Sequence, residues 1–216
     1  MDTIKPYYAR RAEEYEEIYR KPERQGDLRE LETMLTAAFS GMDVLEIACG
    51  TGYWTQFIAR SAHSIHAVDV NPEVLELARR KDYGNCPVTF AVADAYQLDE
   101  IPRRCNAAFC GFWWSHVPLG DLAAFLSGLH ARLAPRSRVM MLDNRFVEGS
   151  STPISRTDAR GNTYQMRKLK DGSGHEVLKN FPTEGEIKAQ LKGCAENMRI
   201  HLLKYYWVVE YVAQVL

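Results

Sequence analysis

The sequence predicts an α/β fold, a doubly wound and mostly parallel sheet with helices on both faces. Three observations predict it. Short apolar runs at 44–47, 65–70, 88–95, 107–112 and 138–143 alternate with stretches of helical periodicity. The first run leads into a turn of small residues, Ala48-Cys-Gly-Thr-Gly52. An acid stands in or at the end of each of the first three runs, at Glu46, Asp69 and Asp94. A chain of 216 residues buries one substantial core of this kind, so 1–216 reads as a single domain.

Residues 6–20 and 26–39 carry helical periodicity. Tyr8, Ala12, Tyr15 and Ile18 share one face of the first stretch, and Leu28, Leu31, Leu35 and Phe39 one face of the second. Gly41 closes the pair, and residues 1–40 are expected to lie as a helical lid over the sheet edge. Strand one then gives way, through the small-residue turn, to a helix over Trp54–Arg60. Strand two ends in Asp69, and Asn71-Pro72-Glu73 starts a helix with an N-cap, a first-turn proline and an acid at the positive end of the dipole. Strands three and four follow, then a helix over 120–133 that stops at Pro135, then strand five. Residues 41–143 thus form the core.

The pattern changes over 144–182, where no amphipathic helix is legible. Asn162–Leu169 and His175–Lys179 flank the turn sequence Asp171-Gly-Ser-Gly174, which predicts a hairpin-like excursion after strand five. Thr183-Glu-Gly-Glu186 is a capping box opening a helix to about residue 196. Arg199–Val212 is strand-like, with a tight bend expected near Lys204–Tyr206 although no Gly, Pro or Asn marks it. Residues 183–216 therefore close the sheet.

The turn after strand one leaves room for a ligand against the backbone, and the next helix offers unpaired N–H groups. A dinucleotide fingerprint, G-x-G-x-x-G, fails because Thr55 stands at the third glycine. Glu46 argues the same way. A carboxylate at the strand end repels a pyrophosphate and suits a ligand with a cationic end. Asp69 falls about twenty residues after Glu46, the spacing at which a nucleotide fold presents a carboxylate to ribose hydroxyls.

The pattern Glu46-x-Ala48-x-Gly50-x-Gly52 resembles motif I of the class I S-adenosylmethionine-dependent methyltransferases, with Ala48 in place of the family's first glycine. The resemblance runs through residues 40–143 and implies a Rossmann-like sheet. It also implies that Ala48, Cys49, Gly50 and Gly52 pack under the methionine and ribose portion of S-adenosylmethionine, with Glu46 near its amino-acid end. Asp69 with Val70 would face the ribose, and Asp94 with Ala95 the adenine. Phe112 and Tyr15 would complete the cofactor site, the Tyr-bearing first helix covering it as in related small-molecule enzymes. The product would be S-adenosylhomocysteine, and no metal is expected.

Ligands of open α/β sheets bind beyond the carboxyl ends of the strands. Strand four runs into Phe112-Trp-Trp-Ser-His116 and strand five into Asp143-Asn-Arg145. Since the sulfonium is an activated donor, catalysis reduces to alignment, plus a base where the nucleophile carries a proton. His116 is the first candidate base and Asp143 the second. Tyr7, Tyr8, Trp113 and Trp114 are candidates to contact the acceptor. The excursion is locally basic, and Arg145 and Arg156 are candidates to clasp an acceptor carboxylate or phosphate.

The formal net charge of −1 advertises neither nucleic acid nor an anionic membrane. The N-terminal residues lack the apolar run of a signal peptide, no segment is apolar enough to span a bilayer, and five scattered cysteines suit a reducing compartment, so a cytoplasmic protein is expected. The expected activity is methyl transfer to an oxygen or nitrogen of a small molecule. Alternatives are an RNA or protein methyltransferase, or a non-catalytic S-adenosylmethionine-binding protein acting through a partner. Gly111-Phe-Trp-Trp114 stands where adenine and glutamine N-methyltransferases carry Asn/Asp-Pro-Pro-Tyr, which disfavours the former.

Overall fold

In the computed structural model, residues 12–101, 105–169 and 171–214 are described. Seven strands form one sheet in the order β3-β2-β1-β4-β5-β10-β9. They are β1 (Asp43–Ile47), β2 (Ser64–Asp69), β3 (Val88–Val92), β4 (Ala107–Gly111), β5 (Arg138–Asn144), β9 (Ala195–Leu202) and β10 (Tyr206–Ala213). β1 to β5 are parallel, and β10 runs antiparallel between β5 and β9. The excursion supplies a separate antiparallel sheet, β6 (Arg156–Thr157), β7 (Thr163–Lys168) and β8 (Gly174–Leu178).

The inner strands read as continuous apolar runs because both of their faces are covered. On β5, Val139 and Met141 join one core, and Met140 and Leu142 the other. β10 splits the same way, with Trp207 and Val209 opposite Tyr206 and Val208. Helices α1 (Gln25–Ala38), α2 (Thr55–Ile58) and α3 (Pro72–Ala78) pack through Leu31, Leu35, Ile58 and Leu75 on one face. Helices α4 (Leu122–His130) and α5 (Glu184–Leu191) pack through Phe125, Leu129, Ile187 and Leu191 on the other.

The N-terminal segment differs from expectation. Ala12–Arg20 is a 3-10 helix, with α1 following it. Tyr7 and Tyr8 lie outside the described residues; of Tyr15, only the backbone, within this 3-10 turn, is described. The capping box at Thr183 forms, its hydroxyl accepting from Glu186 N at 3.3 Å, but α5 ends at Leu191 rather than near 196. Gly193 takes φ +87°, and from Ala195 the chain is claimed by pairing with β10, so long-range pairing overrides local helicity. The bend between β9 and β10 falls where the sequence places it. Asp27 of α1 organises it, its carboxylate accepting Tyr205 N at 2.7 Å, while Leu203 N donates to Tyr206 O at 2.9 Å.

Candidate active site

The strand order reverses between β1 and β4, and the small-residue turn after β1 sits at that switch point. Ala48, Gly50 and Gly52 all take left-handed backbone conformations, φ 54°, 56° and 74°. Gly52 has a second constraint. A Cβ there would sit 3.1 Å from the Cβ of Ala78, so α3 can pack on the turn only over a glycine. Asp69, at the end of β2, accepts Gly50 N and Asn71 N, each at 2.9 Å, and so ties the turn to the start of α3. The 3-10 segment lies across the same turn: Glu16 accepts the Thr51 hydroxyl at 2.7 Å and pairs with Lys81.

Glu46 is buried in register with Ala67 of β2 and Phe109 of β4. Its Oε2 has no hydrogen-bond partner among the described residues, and neither has the Thr55 hydroxyl. Burial pushes this carboxyl up to about 8, the Thr55 hydroxyl opposing and Asp69 reinforcing. A buried acceptor with no donor suits a cationic group of a ligand. Asp94 lies just beyond β3 and accepts Tyr96 N at 3.0 Å. Beside it the rings of Tyr96 and Trp113 meet edge to face at 5.8 Å, and the phenol oxygen and indole nitrogen are both buried without partners among the described residues. The orphaned acid at one end and the orphaned ring atoms at the other fit a long ligand with a cationic amino-acid end and a heterocycle.

A second hollow, of about 290 Å³, opens at the carboxyl ends of β4 and β5 under the small sheet. Phe112 and His116 line it from the loop after β4. Lys21 and Arg24 enter from the N-terminal side, and Arg167, Lys168 and Lys179 from the excursion. No carboxylate is among the described residues that line it. His116 is buried, with Nδ1 2.6 Å from Leu178 O. A carbonyl only accepts, so Nδ1 carries the hydrogen and Nε2 is the basic nitrogen. Burial, then the charges of Lys179 and Arg167, hold its pKa well below 6.5 against the pull of Asp143, so the ring is neutral at neutral pH.

Residues 44–136 match a family model described as a methyltransferase domain. The Ubiquinone biosynthesis O-methyltransferases of Xanthomonas campestris pv. campestris (strain B100) and Xylella fastidiosa (strain M23) are 26% identical over 163 residues and 28% over 158. Each match takes in 72% of this chain; the chain spans 62% and 61% of the relatives' lengths. Among solved structures, a complex of DhpI with SAM and HEP superposes with a TM-score of 0.78 at 25% identity, over 95% of this chain and 94% of that one. CalS10, an amino pentose methyltransferase of Micromonospora echinaspora, shares the fold, with a TM-score of 0.64 at 18% identity over 93% and 96% of the two chains. Residues 44–136 thus carry a methyltransferase domain, on the fold shared with S-adenosylmethionine-dependent methyltransferases.

Within and beside this domain the sequence-predicted cofactor residues converge. Glu46, Ala48, Cys49, Gly50, Gly52, Asp69 and Val70 surround the switch-point turn, and Asp94 and Ala95 follow β3. Cys49 is buried, and its thiol is pushed well up by that burial. Phe112 takes φ 60° and faces two ways, stacking on Trp54 of the turn at 5.9 Å and lining the cationic hollow.

The expected acceptor residues fare differently. Trp114 belongs to the core, packed edge to face on Trp207 at 5.7 Å, and is no acceptor contact. Trp113 points to Tyr96 and Phe125 and does not line the hollow. Arg145 donates to Leu203 O and secures the β9–β10 bend. Arg156 is exposed, held by Glu176 in two hydrogen bonds of 2.9 and 2.6 Å, with its guanidinium 3.6 Å from the centre of the Tyr164 ring. Neither arginine lines the hollow. Asp143 is fully buried behind the hollow, accepting Lys179 Nζ at 2.7 Å and Ser115 N at 3.0 Å. Lys21, Arg24 and Lys179 are the residues the sequence did not single out. No local pattern marks them, since chain segments far apart in sequence bring them together.

Proposed function

We propose that this methyltransferase transfers a methyl group to an oxygen or nitrogen of a small molecule bound in the cationic hollow, by in-line displacement. The observation that carries this reading is Phe112, whose ring forms a wall common to the switch-point turn and the hollow. A molecule in the hollow thus lies next to the cofactor turn. Names of the curated relatives, both O-methyltransferases, favour oxygen as the attacking atom. Bound along Glu46, the turn and Asp94, S-adenosylmethionine supplies a methyl group already activated on a sulfonium.

The chain's own residues then have three tasks. Glu46 and Asp69 bind, the turn and the Ala12–Arg20 segment cover, and the hollow orients the acceptor for attack; such placement is worth about 7–11 kcal/mol of a barrier of this kind. His116, fixed in its tautomer by Leu178 O, offers Nε2 to a proton on the acceptor. Asp143 acts through Lys179 and Ser115 and is a positioning residue.

Calorimetry with S-adenosylmethionine, with NAD as control, followed by an acceptor screen for S-adenosylhomocysteine release, tests the reading. Binding followed by turnover on a small acceptor is expected; binding with turnover only on RNA or protein would overturn it. His116→Gln is expected to lower kcat by about 100-fold, the lower end of general-base effects, and to leave cofactor affinity unchanged. Because the His116 pKa is depressed, kcat/KM for the acceptor, measured with S-adenosylmethionine saturating so that Glu46 is already engaged, should stay level as pH falls to 6.5 and decline only below it. An acid limb centred at 6.5 or above would remove His116 as the base.

A further inference from the structure

Arg24 is 7% exposed, yet its guanidinium's hydrogen-bond partners among the described residues are uncharged. It donates to Asn144 Oδ1 at 3.0 Å and to Ser150 Oγ at 3.0 and 3.3 Å, with a longer contact of 3.5 Å to Ser150 O. Its apolar faces are covered by Tyr205 and Tyr206, with ring centres 5.1 and 5.6 Å away. Lys21 stands beside it, donating to Ser150 O at 2.9 Å, again to a neutral group. The adjacent acid, Glu23, is turned to the exposed side and takes the Ser150 hydroxyl at 3.1 Å. Across the hollow, Lys179 gives one N–H to Asp143, a buried acid, and one to Ser115 Oγ at 2.5 Å.

A guanidinium out of water ordinarily has a carboxylate opposite it, because the cost of desolvating the charge is otherwise uncompensated. Arg24 faces a cavity instead, with further cations around the rim and no acid on the wall. Its planar fork matches two oxygens of a carboxylate or phosphate group. From this arrangement, we propose that the hollow is an oxyanion site, in which Arg24 and Lys21 seat a carboxylate or phosphate-type group of the methyl acceptor. The acceptor is then a small acid, anchored by its anion with its nucleophilic atom turned toward Phe112 and His116. This rests on the reading of the hollow as the acceptor site.

The test uses the full chain saturated with S-adenosylhomocysteine, titrated by calorimetry with inorganic phosphate and, separately, with acetate. At least one of the two should bind at millimolar concentration, and tighter binding of one identifies the anion type. Arg24→Gln should weaken that binding at least tenfold and Arg24→Lys less, while Arg156→Gln, on the exposed face of the small sheet, should not change it. Lys21→Gln, at the partly buried rim, gives a second reading should Arg24→Gln fail to fold. No binding of either anion, or binding unchanged in both Arg24→Gln and Lys21→Gln, overturns the oxyanion site. Once an acceptor is found, the bound anion should compete with it and not with S-adenosylmethionine. Anion binding without such competition would overturn the identification of the anion with the acceptor and remove the acceptor reading of the hollow. Turnover of an uncharged acceptor with no anion binding would remove the oxyanion site alone.

Discussion

Glu46→Gln is expected to weaken S-adenosylmethionine binding by about 10- to 100-fold, the loss of one charge-assisted hydrogen bond at about 1.5–3 kcal/mol. The pH behaviour is the sharper signature. In the cofactor-free chain the buried carboxyl is pushed up to about 8, so at pH 7 it is mostly protonated. A cationic amino-acid end bound beside it favours the ionised form. Binding at pH 7 should therefore release close to one proton, and at pH 9 almost none. Calorimetry in two buffers of different ionisation enthalpy measures this directly. A binding enthalpy independent of buffer at pH 7 would show that Glu46 does not meet the cofactor's charge. Stability carries the same sign. The folded pKa lies above the unfolded one, so the contribution is fully present below about 4.5 and is lost as pH rises through about 8. Relative to the native chain, Glu46→Gln should gain thermal stability between pH 5 and 9, by up to a few kcal/mol at about 1.4 kcal/mol per pKa unit.

The sheet and the cofactor turn are legible in the sequence for the same physical reason. Both are local. Strands buried on two faces must be largely apolar, which Val139–Leu142 satisfies throughout and Val44–Ile47 at every position but Glu46, and a turn that runs through left-handed backbone needs small residues at 48, 50 and 52. The hairpin of β7 and β8 is announced by Asp171-Gly-Ser-Gly174, and the α5 start by its capping box. Where the reading fails, the deciding contact lies far along the chain. α5 ends early because residues from Ala195 pair with β10. The bend at 203–205 does fall where the sequence places it, but Asp27 and Arg145, which hold it, are beyond what a turn propensity can see.

The cationic hollow is the extreme case. Arg145 and Arg156 are the natural choices from sequence because they follow strand five, where a substrate is expected. Each instead has a partner that only the folded chain reveals, Leu203 O in one case and Glu176 in the other. Arg24 sits in a short basic and acidic stretch before a helix, where a solvated surface charge is the ordinary expectation. It becomes a buried cation only because Tyr205 and Tyr206, at the far end of the chain, close over it. Arg24 therefore lines the hollow, and Arg145 and Arg156 stay outside it, through contacts that no local pattern carries.

The Lys179–Asp143 pair can separate the stability of this site from its use. Lys179 is nearly buried and Asp143 fully so. Burial draws the lysine pKa down to about 8 even with Asp143 pulling it up. For Asp143, burial works upward, but Lys179 and His116 hold the carboxyl below its ordinary value. Lys179→Met strands an ionised carboxylate in the core and is expected to cost about 3–5 kcal/mol, a fall in Tm on the order of 10 °C for a chain of this size. Asp143→Asn removes the attraction that keeps Lys179 charged, so the ammonium should lose its proton at lower pH and acceptor KM should rise at pH 7 and above. The double change, Lys179→Met with Asp143→Leu, leaves no charge to strand and should recover most of the lost stability. If the lysine serves the acceptor, KM stays high in this refolded background while cofactor affinity is native. Native KM together with restored stability would make the pair a filler of the core, and Arg24 and Lys21 would then have to hold the acceptor without it.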